Sequence, residues 1–231
     1  MQTSIDITTP DGSFSAHVTR PARRNAPAII ILQEIFGVNE GIRSIAERMA
    51  HQGFIAICPD LFWRSERNLS MSERSEADQE HGFALYRAYD FERGVGDIVA
   101  TISAARQLSY CTGDVGVMGY CLGGLLSFLT AATGKADAVA AYYGGGTERF
   151  LEHAARIHSP LLMHLAGADE YIGPDAQQAI YAALQERPGV TLHTYAGQQH
   201  AFARPEGVHF DRDAADLANQ RTLDFMRHHL G

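Results

Sequence analysis

The sequence predicts an α/β protein built on a doubly wound, mostly parallel sheet, in a single domain over residues 1–231. Three observations carry this reading. Apolar runs of strand length recur at residues 27–32, 54–58 and 115–118, and runs that are apolar throughout suit strands covered on both faces. Segments with helical periodicity alternate with them, as a parallel sheet requires. The 231 residues are 45% hydrophobic and 20% charged, enough for one full core.

The elements follow in order. Residues 4–8 and 13–19 alternate around Pro10-Asp11-Gly12, a turn signal, and read as a hairpin. Residues 27–32 form a central strand that ends in Gln33-Glu34-Ile35-Phe36-Gly37. Asn39 caps a helix through His51 with Ile42, Ile45, Ala46 and Met49 on one face, and Gly53 closes it. Residues 54–58 form the next buried strand, stopped by Pro59-Asp60. Residues 61–75 are polar and without periodicity, the place for a lid or substrate wall, and residues 77–89 and 91–108 are helical. Residues 136–143 form a strand ending in Gly144-Gly145-Gly146, which no G-K-[ST] follows, so the glycines read as a turn rather than a phosphate cradle. A short helix at 148–155, a strand at 160–165, a helix at 174–187, a strand at 190–195 and a terminal helix at 211–230 complete the chain.

The chain is organised around Gly119-Tyr120-Cys121-Leu122-Gly123-Gly124, between the apolar run at 115–118 and helically spaced Leu125, Leu126, Phe128 and Leu129. A G-x-[SC]-x-G sequence joining a strand to a helix is a nucleophile elbow, where small neighbours let the backbone turn sharply and hold the central side chain up. Cys121 occupies the nucleophile position. The helix N-terminus favours negative charge on its sulfur and on a nearby oxyanion. Cys58 and Cys111 read instead as small core residues.

Ligands of such sheets bind beyond the carboxyl ends of the strands, and Glu34, Cys121, Asp169 and His200 all fall there. The order nucleophile, acid, histidine is that of the α/β-hydrolase fold. In this reading His200 takes the proton of Cys121 and later returns it to the leaving group, while Asp169 orients the imidazole. Glu170 and Asp175 are alternative acids. The backbone N–H of Leu122 is one oxyanion donor, and the loop after the first central strand points to Ile35 for the second. Glu34 is the unusual member, since a carboxylate near a thiol opposes thiolate formation.

Composition narrows the partners. A net charge of −8 without a Lys or Arg cluster argues against nucleic acid and anionic membranes, leaving a small molecule as partner and a monomer as the working expectation. Residues 1–20 lack a signal-peptide pattern and no apolar run is long enough to span a bilayer, so a cytoplasmic location is expected. Three cysteines without a close pair suit a reducing compartment, and the 11 histidines form no metal-binding spacing, so no metal site is expected. Cysteine also constrains the substrate, because sulfur leaves a tetrahedral intermediate readily. The substrate's own leaving group must therefore be good, as in an enol ester or enol lactone and not in a peptide.

Gln33-Glu34-Ile35-Phe36-Gly37, Cys58-Pro59-Asp60-Leu61, Gly94-Val95-Gly96-Asp97, the elbow, Tyr142-Tyr143-Gly144 and His200-Ala201-Phe202-Ala203-Arg204 together resemble the dienelactone hydrolase family. The resemblance extends nearly the whole length, through Arg221-Thr222-Leu223-Asp224-Phe225. It implies an α/β-hydrolase fold and cofactor-free hydrolysis of a dienelactone to maleylacetate, in the degradation of chlorinated aromatics. It gives Cys121, His200 and Asp169 as the triad, Glu34 as the carboxylate that restrains the thiol until substrate binds and then accepts its proton, and Arg204 as a substrate-carboxylate ligand. Phe36 and Tyr143, within the matching motifs, are placed at the substrate. A second carboxylate-binding arginine of the family falls on Gln79, a neutral amide that weakens a two-arginine clamp, and neither Arg74 nor Arg87 is in register.

The expected activity is thus a cysteine-dependent carboxylic ester hydrolase of the carboxymethylenebutenolidase type. A broader esterase or thioesterase with the same triad is the first alternative. A non-enzymatic binding protein, or a redox sensor using Cys121 as a reactive thiol, is the second, and an intact set of Glu34, Cys121, Asp169 and His200 speaks against it.

Overall fold

The computed structural model describes residues 2–205 and 207–231. The strands form one eight-stranded sheet in the order β1 (Gln2–Thr9), β2 (Gly12–Thr19), β4 (Ile55–Pro59), β3 (Ala26–Leu32), β5 (Cys111–Tyr120), β6 (Ala138–Tyr142), β7 (Leu161–Ala166) and β8 (Val190–Tyr195), and the chain divides within β5 into two compact units, Met1–Val117 and Met118–Gly231.

In the first unit β1 (Gln2–Thr9) and β2 (Gly12–Thr19) form the expected antiparallel hairpin, turning at Gly12 with φ 139°. Such a φ suits a residue without Cβ. The wholly buried β3 (Ala26–Leu32) runs parallel to the wholly buried β4 (Ile55–Pro59), whose other edge pairs antiparallel with β2. Between them α1 (Glu40–His51) starts where the Asn39 side chain accepts the Ile42 N–H at 3.1 Å, and it buries Ile42, Ile45, Ala46 and Met49 as its periodicity requires. Helices α2 (Glu76–Arg87) and α3 (Phe91–Gln107) start at capping residues Ser75 and Asp90. β5 (Cys111–Tyr120) follows and becomes fully buried from Val115 onward.

The excursion after β4 is irregular because side chains, not a packed periodic face, hold it. Asp60 accepts the N–H groups of Phe62 and Asn68, and buried Gln33 accepts that of Leu61. Trp63 stacks on Phe14 and donates its indole N–H to Asp97 at 2.8 Å, while Arg64 pairs with both Asp97 and Asp11. Two members of the Gly94-Val95-Gly96-Asp97 motif are thereby accounted for. Gly94 leaves room for the Tyr89 ring, and Asp97 ties the excursion to α3.

In the second unit α4 (Leu122–Ala131) follows the elbow, and β6 (Ala138–Tyr142), β7 (Leu161–Ala166) and β8 (Val190–Tyr195) pair in parallel. Residues Thr147–Arg156 form a 3-10 segment kinked at Phe150 where the sequence suggested a short helix over 148–155. Helix α5 (Pro174–Leu184) stops three residues short of its expected end, and α6 (Arg212–Leu230) starts where Asp211 caps the Ala214 N–H. Behind the sheet, buried His164 bonds the Tyr195 hydroxyl at 2.8 Å and Thr222 at 2.9 Å, and Tyr142 meets the same threonine. Burial, with the charges of His193 and Arg221, holds the His164 imidazole well below its ordinary proton affinity, so it serves as a neutral strut. Among the described residues no helix is long and apolar enough to cross a membrane.

Candidate active site

The second unit brings Cys121, Asp169 and His200 to one place, each just beyond a strand. Cys121 follows β5 and has φ 53° and ψ −114°, a conformation that L-residues rarely adopt. Such a backbone costs on the order of 1–3 kcal/mol and persists only where its surroundings enforce it. Those surroundings are visible. The Cys121 N–H donates to the Tyr142 carbonyl at 3.1 Å, and its carbonyl accepts the Leu125 N–H at 3.1 Å, which starts α4. Gly124 and Gly144 let α4 begin directly against the end of β6. A Cβ at Gly144 would lie 2.6 Å from the Leu125 nitrogen, and one at Gly124 would strike the Tyr142 carbonyl. Cys121 is the N-cap of α4 and makes no side-chain capping bond.

Asp169 leaves β7 through a tight turn that its own carboxylate organises. Oδ1 accepts the N–H groups of Tyr171 at 2.9 Å and Ile172 at 3.1 Å. His200 Nδ1 lies 2.9 Å from Oδ2 and 3.1 Å from Oδ1, and the Asp169 side chain is fully buried. A carboxylate can only accept, so Nδ1 carries the proton and Nε2 is the basic nitrogen. The alternative acids are spent elsewhere: Glu170 bonds the His200 main chain, and Asp175 lies in the first turn of α5.

His200 is itself buried. Burial alone pushes its proton affinity down. The charge at Cys121, hydrogen bonding with Asp169 and Cys121, and the Asp169 charge then outweigh burial and raise it well above the ordinary imidazole value. Nε2 finds no partner in strict hydrogen-bond geometry among the described residues, yet the Cys121 sulfur lies near enough to raise the ring's proton affinity both by charge and by a looser hydrogen bond. The balance has a chemical consequence. A negative charge on the sulfur stabilises the imidazolium, and a neutral thiol withdraws that support.

Two aromatic rings flank the imidazole edge-on. Tyr143, one of the expected substrate residues, lies 5.0 Å from it between centroids and is fully buried, with φ 36°. Tyr171 lies 4.8 Å away and is 51% exposed. Burial and the charges of Glu170, Cys121 and Asp169 raise the proton affinity of the Tyr171 phenol, which places that ring within the field of the thiol. Tyr171 was not foreseen. Its position two residues after Asp169 was the available signal.

The other expected residues are placed as follows. Arg204 lies half-buried on the loop after His200, with its side chain packed along Gly207. Glu34, Ile35 and Phe36 belong to the first unit, all buried, at the end of β3. Gln79 lies exposed on α2, where its amide donates to the Glu73 carbonyl. No cluster of His, Cys, Asp and Glu able to hold a metal occurs among the described residues.

Known proteins resemble the chain in sequence and architecture. The model of the dienelactone hydrolase family matches residues 14–230. A carboxymethylenebutenolidase of Pseudomonas putida is 40% identical over 223 residues, covering 96% of this chain and 94% of that protein. Carboxymethylenebutenolidase 1 of Cupriavidus pinatubonensis is 36% identical, covering 96% and 95%. Among solved structures, a dienelactone hydrolase-like promiscuous phosphotriesterase from metagenomic libraries superposes with a TM-score of 0.82 at 20% identity, covering 100% of this chain and 99% of that one. The dienelactone hydrolase of Anabaena variabilis does so with a TM-score of 0.74 at 14% identity, again covering 100% and 99%. At these identities the structural likenesses establish the α/β-hydrolase fold.

Proposed function

From the premise that the chain belongs to the dienelactone hydrolase family, and is a hydrolase of that family, we propose that it opens small anionic enol lactones by acyl transfer to Cys121. The observation that carries the proposal is the buried Asp169–His200 pair, which leaves the basic Nε2 edge in the field of a sulfur held on a strained backbone.

In the proposed cycle Nε2 takes the thiol proton, and the sulfur attacks the lactone carbonyl. The N–H of Leu122 receives the developing oxyanion, with Ile35 as the second donor implied by the chain order. The tetrahedral intermediate then chooses between two leaving groups. A delocalised enolate departs in competition with a thiolate, whereas an amide nitrogen does not. His200 returns its proton to the product side, then takes one from the water that clears the thioester. The water oxygen bonds the acyl carbon as the C–S bond breaks, the acid product leaves, and the proton taken up by His200 returns to the thiolate, with no redox change. Arg204, Phe36 and Tyr143 are assigned to the substrate. A single domain over residues 1–231 is supported by one family model running through both units, and three unpaired cysteines suit a cytoplasmic setting.

Turnover of a dienelactone, a neutral aryl ester and an acyl thioester tests the substrate class. The dienelactone is expected to show the largest kcat/KM, by about tenfold or more, as one charge-assisted contact is worth roughly 1.5–3 kcal/mol. A neutral ester in first place would move the assignment to a broader esterase. Gln79 favours that second reading, because an uncharged amide already bonded to Glu73 adds no cation for an anionic substrate.

Glu34 is assigned to restraint of the resting thiol, supported by its burial at a strand end and by its motif. Glu34→Gln is expected to lower turnover and to speed alkylation of Cys121 by iodoacetamide near neutral pH, since removing a negative charge favours the thiolate. An alkylation profile identical to that of the wild type across pH would refute the assignment.

A further inference from the structure

The parallel pairing of β7 and β8 runs out at Ala166 and Tyr195, yet His200 lies five residues further on. Two backbone bonds extend the pairing a little: Gly167 donates to the Tyr195 carbonyl and Ala168 to the Gln198 carbonyl, each at 2.8 Å. Beyond that point side chains take over. Asp169 holds the imidazole, and the adjacent Glu170 accepts the backbone N–H of His200 through Oε2 at 3.3 Å. From the other side, His209 Nδ1 donates to the His200 carbonyl at 3.1 Å. The two grips face each other, with His209 Nδ1 4.0 Å from Glu170 Oε1.

Both polar groups of one buried peptide residue are thus met by side chains from two different loops. The next residue, Ala201, has φ 63°, so the backbone leaving His200 is in a strained conformation that must be held from outside. Asp169 fixes the rotation of the ring but not the height of its Cα. The reach of Nε2 toward the sulfur depends on both, and a displacement of about 1 Å can lower a rate roughly a hundredfold.

We propose that Glu170 and His209 are positioning residues that clasp the main chain of His200 and so set the approach of its imidazole to Cys121. The inference rests on the reading of His200 as the base given above. Neither residue needs to contact the substrate. Glu170 needs only an acceptor oxygen, and His209 only a donor at the Nδ1 position.

The test compares Glu170→Ala and His209→Ala with Glu170→Gln and His209→Asn, which keep an acceptor and a donor respectively, and with His200→Ala. Turnover of an enol ester is measured well below each variant's melting midpoint. The alanine variants are expected to lose roughly ten- to a hundredfold in kcat with KM changed by less than about twofold, and the conservative variants to recover most of it. The double alanine variant should lose less than the product of the single losses, because both act on one residue. Wild-type kcat in both alanine variants, beside an inactive His200→Ala, would overturn the clasp and leave the base assignment standing. A loss confined to KM, or one that the conservative variants fail to restore, would overturn it too. Full activity in His200→Ala would remove the base assignment itself, and with it the premise of the clasp.

Discussion

Cys121→Ala is expected to fold as the wild type does and to lose turnover by about 10⁴-fold or more, the scale on which a covalent nucleophile acts together with its base. The strained backbone makes the experiment more informative than a simple deletion. At φ 53° and ψ −114° alanine carries the same Cβ penalty as cysteine, so its melting temperature should stay within a few degrees of the wild type. Glycine relieves that penalty but gains freedom in the unfolded chain, an opposing effect of about 0.5–1 kcal/mol. Cys121→Gly should therefore be equally inactive and melt no lower than Cys121→Ala. Inactive variants of undiminished stability would mean that the strain is kept for the sulfur and not for the fold. Hydrolysis at the wild-type rate by either variant would end the proposal of a thioester intermediate.

What could be read from the sequence differed by region, for physical reasons. Strands β3 and β4 were plain because each is buried on both faces and so apolar at every position, and α1 was bounded by a capping side chain that the structure places on the Ile42 N–H. The elbow was equally plain, because a tight turn between strand and helix admits few side chains around Cys121. Residues 61–75 gave no pattern, since single side-chain bonds order them, long-range ones through Gln33, Trp63 and Arg64 and a local one through Asp60. Such bonds leave no periodic trace. The partners of His200 show the same division. Asp169 follows an apolar strand in a G-x-D turn and could be named from sequence, whereas His209, nine residues beyond His200, grips it only because the loop folds back. Glu170 could be taken for a rival acid, and only coordinates distinguish a carboxylate bonded to the ring from one bonded to the backbone. Gln79 marks the limit of argument by register, since its amide meets the Glu73 carbonyl on an exposed helix face.

Asp169→Asn should be nearly as damaging as loss of the nucleophile, although it removes no atom from the turn. Oδ1 accepts two backbone N–H groups and Oδ2 accepts Nδ1–H. Asparagine has a single oxygen, and the two N–H groups of the turn claim it, because an amide NH₂ placed there would oppose two donors. The NH₂ then faces Nδ1, which must become an acceptor, so the imidazole proton shifts to Nε2. A protonated Nε2 on a neutral ring cannot accept from the thiol. Turnover is expected to fall by roughly 10²–10⁴-fold with the fold retained, as for other triads whose imidazole is forced into the wrong tautomer. The direction of the pH effect follows independently. Asp169 is among the groups that raise the proton affinity of His200 against burial, which lowers it, so removing its charge must move the imidazole titration to lower pH. In linkage terms, stability from this pairing is fully present below the ordinary imidazole value and is lost as pH rises through the raised folded value, and the variant should lose it earlier on that rise. Nitrogen-resolved NMR of the His200 ring in both proteins reads the tautomer and the titration together. An asparagine variant with its proton still on Nδ1, or an imidazole titrating above the wild type, would contradict the role assigned to Asp169.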